Sequence, residues 1–393
     1  MSSMGAEIPG AVLWQDGPWR LFEAAPGARP AFDAFVAGHP CGDFLQSWQW
    51  GDLKAASGWR PRRFLLVRDG RIEAAASVLE RRLPLGLGRL LYCPRGPVVD
   101  YGSPAATAQT LRALAAALRG SGAVLIKMDP GEPDDAALAL RLRALGLRPG
   151  RRRGQFGGIQ PRHVMQLDLG RPLDAVFAAF TAKCRYNIRL ARRHGVKARE
   201  AARADLTAVC RLLRDTALRD GFGLRPDAYY AEVFDHTVGA GHGRVLLASV
   251  AGEDVAATWT VQFGDKAWYL YGASSDRHRE TMPNYLLQWE AIQWAHARGA
   301  KTYDFLGVPK TPDPRSPIVG LWRFKERFGA RPVTFVGEFD LPLRPFGYLL
   351  WRLADPVYAH AVVVAGRTGR LLRRLAARRA AAAPTPTPTP ELP

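Results

Sequence analysis

One supersecondary pattern occurs twice in this chain, and it restricts the fold more than any other feature. Residues 64–67 and 72–79 are β-rich runs separated by Arg68-Asp69-Gly70-Arg71, and Asp-Gly between two such runs signals a tight hairpin. The arrangement returns at residues 245–250 and 255–263, joined through Ala251-Gly252-Glu253-Asp254, with a further strand at 267–271. Helical sequence precedes each hairpin, and a helix and a short strand follow it. These fall at residues 105–118 and 124–128 in the first half and at 284–298 and 302–305 in the second. Mixed strand and helix order, repeated once, predicts an α/β (α+β) domain present twice.

At 393 residues the chain is long enough for roughly two domains. Hydrophobic residues at 47% and charged residues at 23% exclude wholesale disorder and fibrous repeats. A net charge of +19 at pH 7 attracts acidic partners: nucleic-acid phosphates, anionic lipid head groups or a phosphorylated small substrate. Charge alone does not choose among them. Cys41, Cys93, Cys184 and Cys210 are far apart and form no CxxC pair, which predicts neither a zinc site nor a disulfide framework and fits a reducing cytoplasm. Residues 1–16 lack a basic stretch followed by an apolar core, so no signal peptide is expected. No uncharged apolar run approaches the ~20 residues that span a bilayer, and the expectation is a soluble or peripheral protein.

Several catalytic signatures are missing: there is no Walker A loop, HExxH, GxSxG or strand-linked GxGxxG. The segment from Arg82 to Gly88 is glycine-rich, but it stands one residue out of register with the pyrophosphate loop of acetyl-CoA-dependent N-acetyltransferases and lies between strands, so binding of CoA is disfavoured. Leu286, Leu287, Trp289, Ile292, Trp294 and Ala295 form a broad helical face that reads as core. Arg151, Arg152, Arg153, Gly154, Gly157 and Gly158 mark a hinge, a domain crossing or a solvated loop. From Pro345 a helical stretch runs through Leu349, Leu350, Trp351 and Leu353, resumes after Pro356, and ends with Arg367, Arg370, Arg373, Arg374, Arg378 and Arg379. Such a basic amphipathic segment rests on anionic membrane, contacts RNA, or is a solvated helix end. The Thr-Pro tail, 381–393, is expected to be disordered.

Five segments read together carry a resemblance. Residues 44–54 (Phe-Leu-Gln-Ser-Trp-Gln-Trp-Gly-Asp-Leu-Lys), Tyr92-Cys93-Pro94-Arg95-Gly96-Pro97, residues 183–191 (Lys-Cys-Arg-Tyr-Asn-Ile-Arg-Leu-Ala), Tyr303-Asp304-Phe305-Leu306-Gly307 and Phe324-Lys325-Glu326-Arg327-Phe328-Gly329 resemble, in order and spacing, the motifs of the Fem (FemA/FemB/FemX-type) peptidoglycan interpeptide-bridge aminoacyltransferases. The resemblance implies two tandem GNAT-like acyltransferase domains with mixed sheets: residues 1–165 plus 333–380 as the first, on the precursor-binding side, and 166–332 as the second. It also implies transfer of an amino acid from aminoacyl-tRNA to the stem-peptide amine of a peptidoglycan precursor, either lipid II or UDP-MurNAc-pentapeptide. No metal or other cofactor is implied beyond aminoacyl-tRNA as co-substrate. The implied location is cytoplasmic, peripheral at the inner face of an anionic membrane.

Acyl transfer of this kind needs a neutral attacking amine and a fixed donor or cation where the tetrahedral oxyanion forms. The resemblance implies Lys325 for that donor. It also implies Lys54 and Arg225 for the diphosphate, Tyr229 one helical turn after Arg225, and Tyr271 for the precursor, with Tyr269 competing for the last place. Asp129, before Pro130, resembles an aspartate considered as a general base, but an Asp-Pro turn has a structural reading too; Asp304 stands in the same position. Lys183, Arg185, Arg189 and Arg192, with Arg193, are expected to contact the tRNA backbone from one helix face. No sustained heptads occur between 183 and 245, so the long coiled-coil arm of one family branch is not expected. Two other readings stay open: a GNAT-like N-acyltransferase acting on another amine or hydroxyl in exopolysaccharide or lipid synthesis, and a non-catalytic double GNAT protein that binds RNA or membrane.

Overall fold

Residues 8–82, 88–151, 156–316 and 318–353 are described by a computed structural model, and they build two mixed sheets, one around each expected hairpin. The segments expected as the acetyltransferase-like glycine loop, the centre of the Arg-Gly hinge and the C-terminal basic stretch lie wholly or largely outside the described residues, as does the 381–393 tail.

The first half opens with strands β1 (Gly10–Asp16) and β2 (Trp19–Ala24), then helices α1 (Arg29–Gly38) and α2 (Trp48–Ala55). The hairpin itself is β3 (Arg60–Arg68) and β4 (Arg71–Arg82). It is followed by β5 (Arg89–Cys93), β6 (Val98–Val99), helix α3 (Pro104–Leu118), β7 (Ala123–Met128), α4 (Ala136–Ala144) and β8 (Arg148–Pro149). Ser47 and Ser103 cap α2 and α3, each accepting a backbone N–H with its hydroxyl.

The second half runs β9 (His163–Asp168), α5 (Leu173–Ala178), α6 (Ala182–Arg193), β10 (Lys197–Glu200), α7 (Leu206–Asp220), α8 (Asp227–Thr237), then the hairpin β11 (Gly243–Val250) and β12 (Glu253–Phe263). After it come β13 (Lys266–Ser274), α9 (Pro283–Ala297), β14 (Thr302–Gly307), α10 (Val319–Glu326), β15 (Arg331–Thr334) and β16 (Phe339–Pro342). Trp289 of α9 is buried against Phe177 and Phe180, as a core residue should be.

Both hairpins turn on two residues in the left-handed region: Asp69 (φ 49°) and Gly70 (φ 77°) in the first, Ala251 (φ 49°) and Gly252 (φ 84°) in the second. Two positive φ values give the twist that adjoining strands need. The sheets repeat the same pairing: β3–β4–β5 antiparallel then β7 parallel to β5, and β11–β12–β13 antiparallel then β14 parallel to β13. Helices α3 and α9 make the crossovers that parallel neighbours require.

The strands next to β7 and β14 differ in origin. Beside β7 lies β16, from the end of the described chain, and beside β14 lies β9. The boundary expected at 165/166 therefore cuts through β9, whose backbone pairs with β14 and β15, so the second sheet starts at His163; likewise β15, through Thr334, belongs to it. Those antiparallel ladders are long-range pairings that no local signal at 163–168 or 331–334 announced. One buried apolar cluster crosses between the halves, with Phe44 touching Trp50 on its own side and Phe263 on the other.

Candidate functional site

Helix α2 of the first half packs on α8 of the second, and this junction gathers four of the expected substrate residues. Lys54, in the last turn of α2, donates from Nζ to Tyr229 Oη at 2.9 Å and lies 4.2 Å from the Trp50 ring centroid. Arg225 sits just before α8, where Pro226 stops the preceding loop, and its guanidinium is 5.7 Å from the Tyr229 ring. Tyr230 stands edge-on to both Tyr229 and Tyr271, at 5.8 and 5.5 Å. Burial pushes the Tyr271 hydroxyl well above the usual phenol range, and the neighbouring Tyr229 adds to this, so the Tyr271 phenol stays a protonated donor. Neither Lys54 nor Arg225 has a carboxylate partner among the described residues. Two unpaired cations beside phenol donors suit a phosphate-bearing ligand. Gln49 and His236, 2.9 Å apart across the same junction, were not anticipated from sequence, where they look like ordinary helix residues.

Lys325 is not a solvent lysine. Only 3% exposed on α10, it donates to the carbonyl oxygens of Leu306 (3.1 Å) and Gly307 (2.7 Å) at the end of β14. Burial lowers its pKa to about 7, opposed by the nearby Asp304 carboxylate. In its ammonium form the group has three protons, of which these two carbonyls take two. Asp304 is a brace: Oδ1 accepts from Leu306 N–H at 2.6 Å and Oδ2 from Gln166 at 2.9 Å, holding Leu306 at φ 58°. The parallel pairing of β13 and β14 ends at Trp268 and Asp304, and Tyr269, Tyr271 and the two carbonyls that hold Lys325 all lie past that point. Tyr269 is half-buried, and burial of its hydroxyl pushes that group up to about 12. Its ring instead meets Phe305, whereas Tyr271 joins the Lys54 group.

The equivalent opening in the first half is closed by Asp129. Its carboxylate accepts from Tyr92 Oη at 2.9 Å and from the Arg95 N–H at 2.7 Å, with Arg95 at φ 53°. Burial raises Asp129 to about 6, against the pull of Arg95. These bonds join the ends of β5 and β7 and account for the carboxylate as a structural clamp. Arg95 continues across the junction, donating to Pro161 O at 2.6 Å and covering the Phe335 ring at 4.1 Å. A cavity of about 200 Å³ lies between the halves here, with Asp43 on one wall and Gln166, Lys266 and Asp304 on the other. Among the described residues, no group of three or more His, Cys, Asp and Glu side chains could hold a metal ion.

Helix α6 buries Cys184, Asn187, Ile188 and Ala191, which leaves its other face to solvent. Arg185 leaves the expected basic stripe, because its guanidinium turns back onto the Ala178 and Phe180 carbonyls and caps the end of α5. Arg192 pairs with Glu290 at 3.2 Å. Lys183 and Arg193 flank the exposed Tyr186 ring, and Arg189 reaches toward Phe177, so the remaining stripe is basic with an aromatic in it. Between α6 and β11, helices α7 and α8 pack on the second sheet and on α2, with no projecting arm.

Comparison with known proteins agrees with this architecture. The model of the FemAB family matches residues 28–250 and 247–355. Proteins named lipid II:glycine glycyltransferase from Staphylococcus haemolyticus (strain JCSC1435) and Staphylococcus aureus (strain USA300) are 28% and 29% identical over 403 and 405 aligned residues, taking in 85% of this chain and 96% of theirs. The crystal structure of FemX superposes with a TM-score of 0.78 at 26% identity, covering 85% of this chain and 99% of that one. With two repeated mixed sheets and matches along most of its length, the chain belongs to the FemAB family and has its tandem GNAT-like fold.

Proposed function

We propose that this aminoacyltransferase moves an amino acid from aminoacyl-tRNA to an amine on the stem peptide of a peptidoglycan precursor, with lipid II as the preferred acceptor. The observation that carries the reading is the pair of unpaired cations, Lys54 and Arg225, joined through Tyr229 across the two halves. In this reading they take the precursor's diphosphate, and Tyr271 lies beneath as a protonated donor. The names of the staphylococcal relatives support lipid II over the nucleotide-linked form.

The reaction forms a C–N bond and breaks the C–O ester bond to the tRNA ribose. The attacking amine loses a proton, and the ribose oxygen leaves as a hydroxyl. Between these events the carbonyl oxygen carries negative charge, and the third proton of Lys325, held by two backbone carbonyls, is the donor for it. Asp129, clamped at both oxygens, is left out of proton transfer, and water or a substrate phosphate takes the amine's proton. Lys183, Arg189 and Arg192, with Arg193, supply the tRNA contacts, and no resident cofactor takes part. A lipid-linked acceptor puts the work at the inner face of the cytoplasmic membrane.

The test offers the full-length protein two donors, a charged tRNA pool with labelled amino acids and labelled acetyl-CoA, and two acceptors, lipid II and UDP-MurNAc-pentapeptide. Labelled lipid II formed only from tRNA is the expected result. Acetylation from acetyl-CoA, or no product on either acceptor with intact charged tRNA, would replace the reading with one of acyl transfer elsewhere or of binding alone.

A further inference from the structure

A broad groove on the first half has no part in the transfer site. It encloses about 970 Å³ on the first half, between α3, the end of β1 and a helix formed by residues 345–353. Leu111, Ala115 and Tyr348 supply apolar floor, and Arg112, Arg119, Arg148 and Arg352 stand around it. None of these four arginines has a carboxylate partner among the described residues. Asp16, also in the lining, accepts from Gln109 at 3.3 Å.

The helix beside the groove has an apolar face turned outward. Phe346, Leu349, Leu350 and Leu353 are 75%, 58%, 51% and 69% exposed. Their spacing of i, i+3, i+4 and i+7 places them on a single stripe, and Leu349 also lines the groove, so stripe and groove are continuous. Tyr348, buried, ties the other face down by donating to Asp340 on β16. Four large apolar side chains in water, backed by unpaired guanidinium groups, are not explained by folding of the first half.

We infer that this stripe and groove form a docking surface for an anionic lipid bilayer. The apolar stripe enters the interface between head groups and acyl chains, and Arg112, Arg119, Arg148 and Arg352 meet the head-group phosphates. Charge selects this occupant: RNA would leave the stripe in water, while a phospholipid surface satisfies the stripe and the guanidinium groups together. No described helix is long and apolar enough to cross a membrane, so contact is from one side. The surface deepens the proposed function, which sets the acceptor at a membrane, but it can be tested without transfer.

The experiment is flotation of the full-length protein with vesicles containing phosphatidylglycerol and with vesicles of phosphatidylcholine alone. Two surface variants accompany it, Phe346→Ser/Leu350→Ser and Arg112→Glu/Arg119→Glu, all at exposed positions, with circular dichroism and melting to check folding. A third variant changes Arg367, Arg370, Arg373, Arg374, Arg378 and Arg379 to Gln. The wild type is expected to float with the anionic vesicles only, each surface variant to bind about tenfold less or weaker, and the six-Gln variant to keep most of the binding. The inference is overturned by no flotation of the wild type, by equal binding to phosphatidylcholine, by wild-type binding of both surface variants, or by loss confined to the six-Gln variant. Transfer to the water-soluble UDP-linked precursor should be unchanged in both surface variants. Absence of transfer to both the UDP-linked precursor and lipid II in the wild type would sink the proposed function and leave the flotation result standing.

Discussion

Lys325 is a cation kept out of water, and its environment makes its charge pH-sensitive. An unfolded lysine holds its proton to about pH 10.4, whereas burial brings this one down to about 7. Between those values the unfolded chain binds the extra proton, so stability should rise with pH across that window. Urea unfolding at pH 7 and pH 9 is expected to show this gain in the wild type and a smaller one in Lys325→Met; equal slopes would show that Lys325 is not the titrating group. Asp129 makes the opposite kind of claim. Because Tyr92 and Arg95 occupy its oxygens, Asp129→Asn should leave transfer within a few-fold of wild type. A loss of ~10²-fold or more is the mark of a general base and would restore the aspartate to the chemistry.

Both hairpins and the helices around them were legible because their signals are local: a Gly-containing turn between two β-rich runs, with helical sequence on either side. The second turn carries a cost that follows from its sequence, since Ala251 occupies a left-handed conformation that glycine or asparagine adopts more easily. Ala251→Asn, at an exposed position, should stabilise the protein by about 0.5–1 kcal/mol in urea unfolding; an unchanged or lowered midpoint would show that the turn is not strained. The strands β9, β15 and β16 escaped a sequence reading, being four to six residues long and stabilised by partners far away in the chain. The same distance problem explains Arg185. Its helical position matches a basic stripe, but the carbonyls at the end of α5 claim its guanidinium, and only the packed structure shows that. Lys54, Arg225, Tyr229 and Tyr271 rest on family resemblance, and no local signal in the sequence says that they meet.

Across the whole molecule the two halves share one core and several direct bonds, including Lys266 to the Gly42 carbonyl at 3.0 Å. Gly264, at φ 60° in the β12–β13 turn, presses against the first half so closely that a Cβ there would run into the Ala37 carbonyl oxygen. Gly264→Ala should therefore cost about 2 kcal/mol or more and broaden or split the calorimetric transition, because it pries the halves apart. A sharp wild-type-like transition would show that they are joined elsewhere. The cross-half site is the centre of the functional reading, and steady-state transfer from charged tRNA to lipid II measures it most directly. Wild type should form labelled product; Lys54→Ala should raise KM for lipid II by roughly 10–100-fold with kcat within a few-fold, and Lys325→Ala should lower kcat by ~10²-fold or more. No product from the wild type, or a Lys54→Ala enzyme with unchanged KM, would contradict the assignment of the precursor to the junction of the two halves.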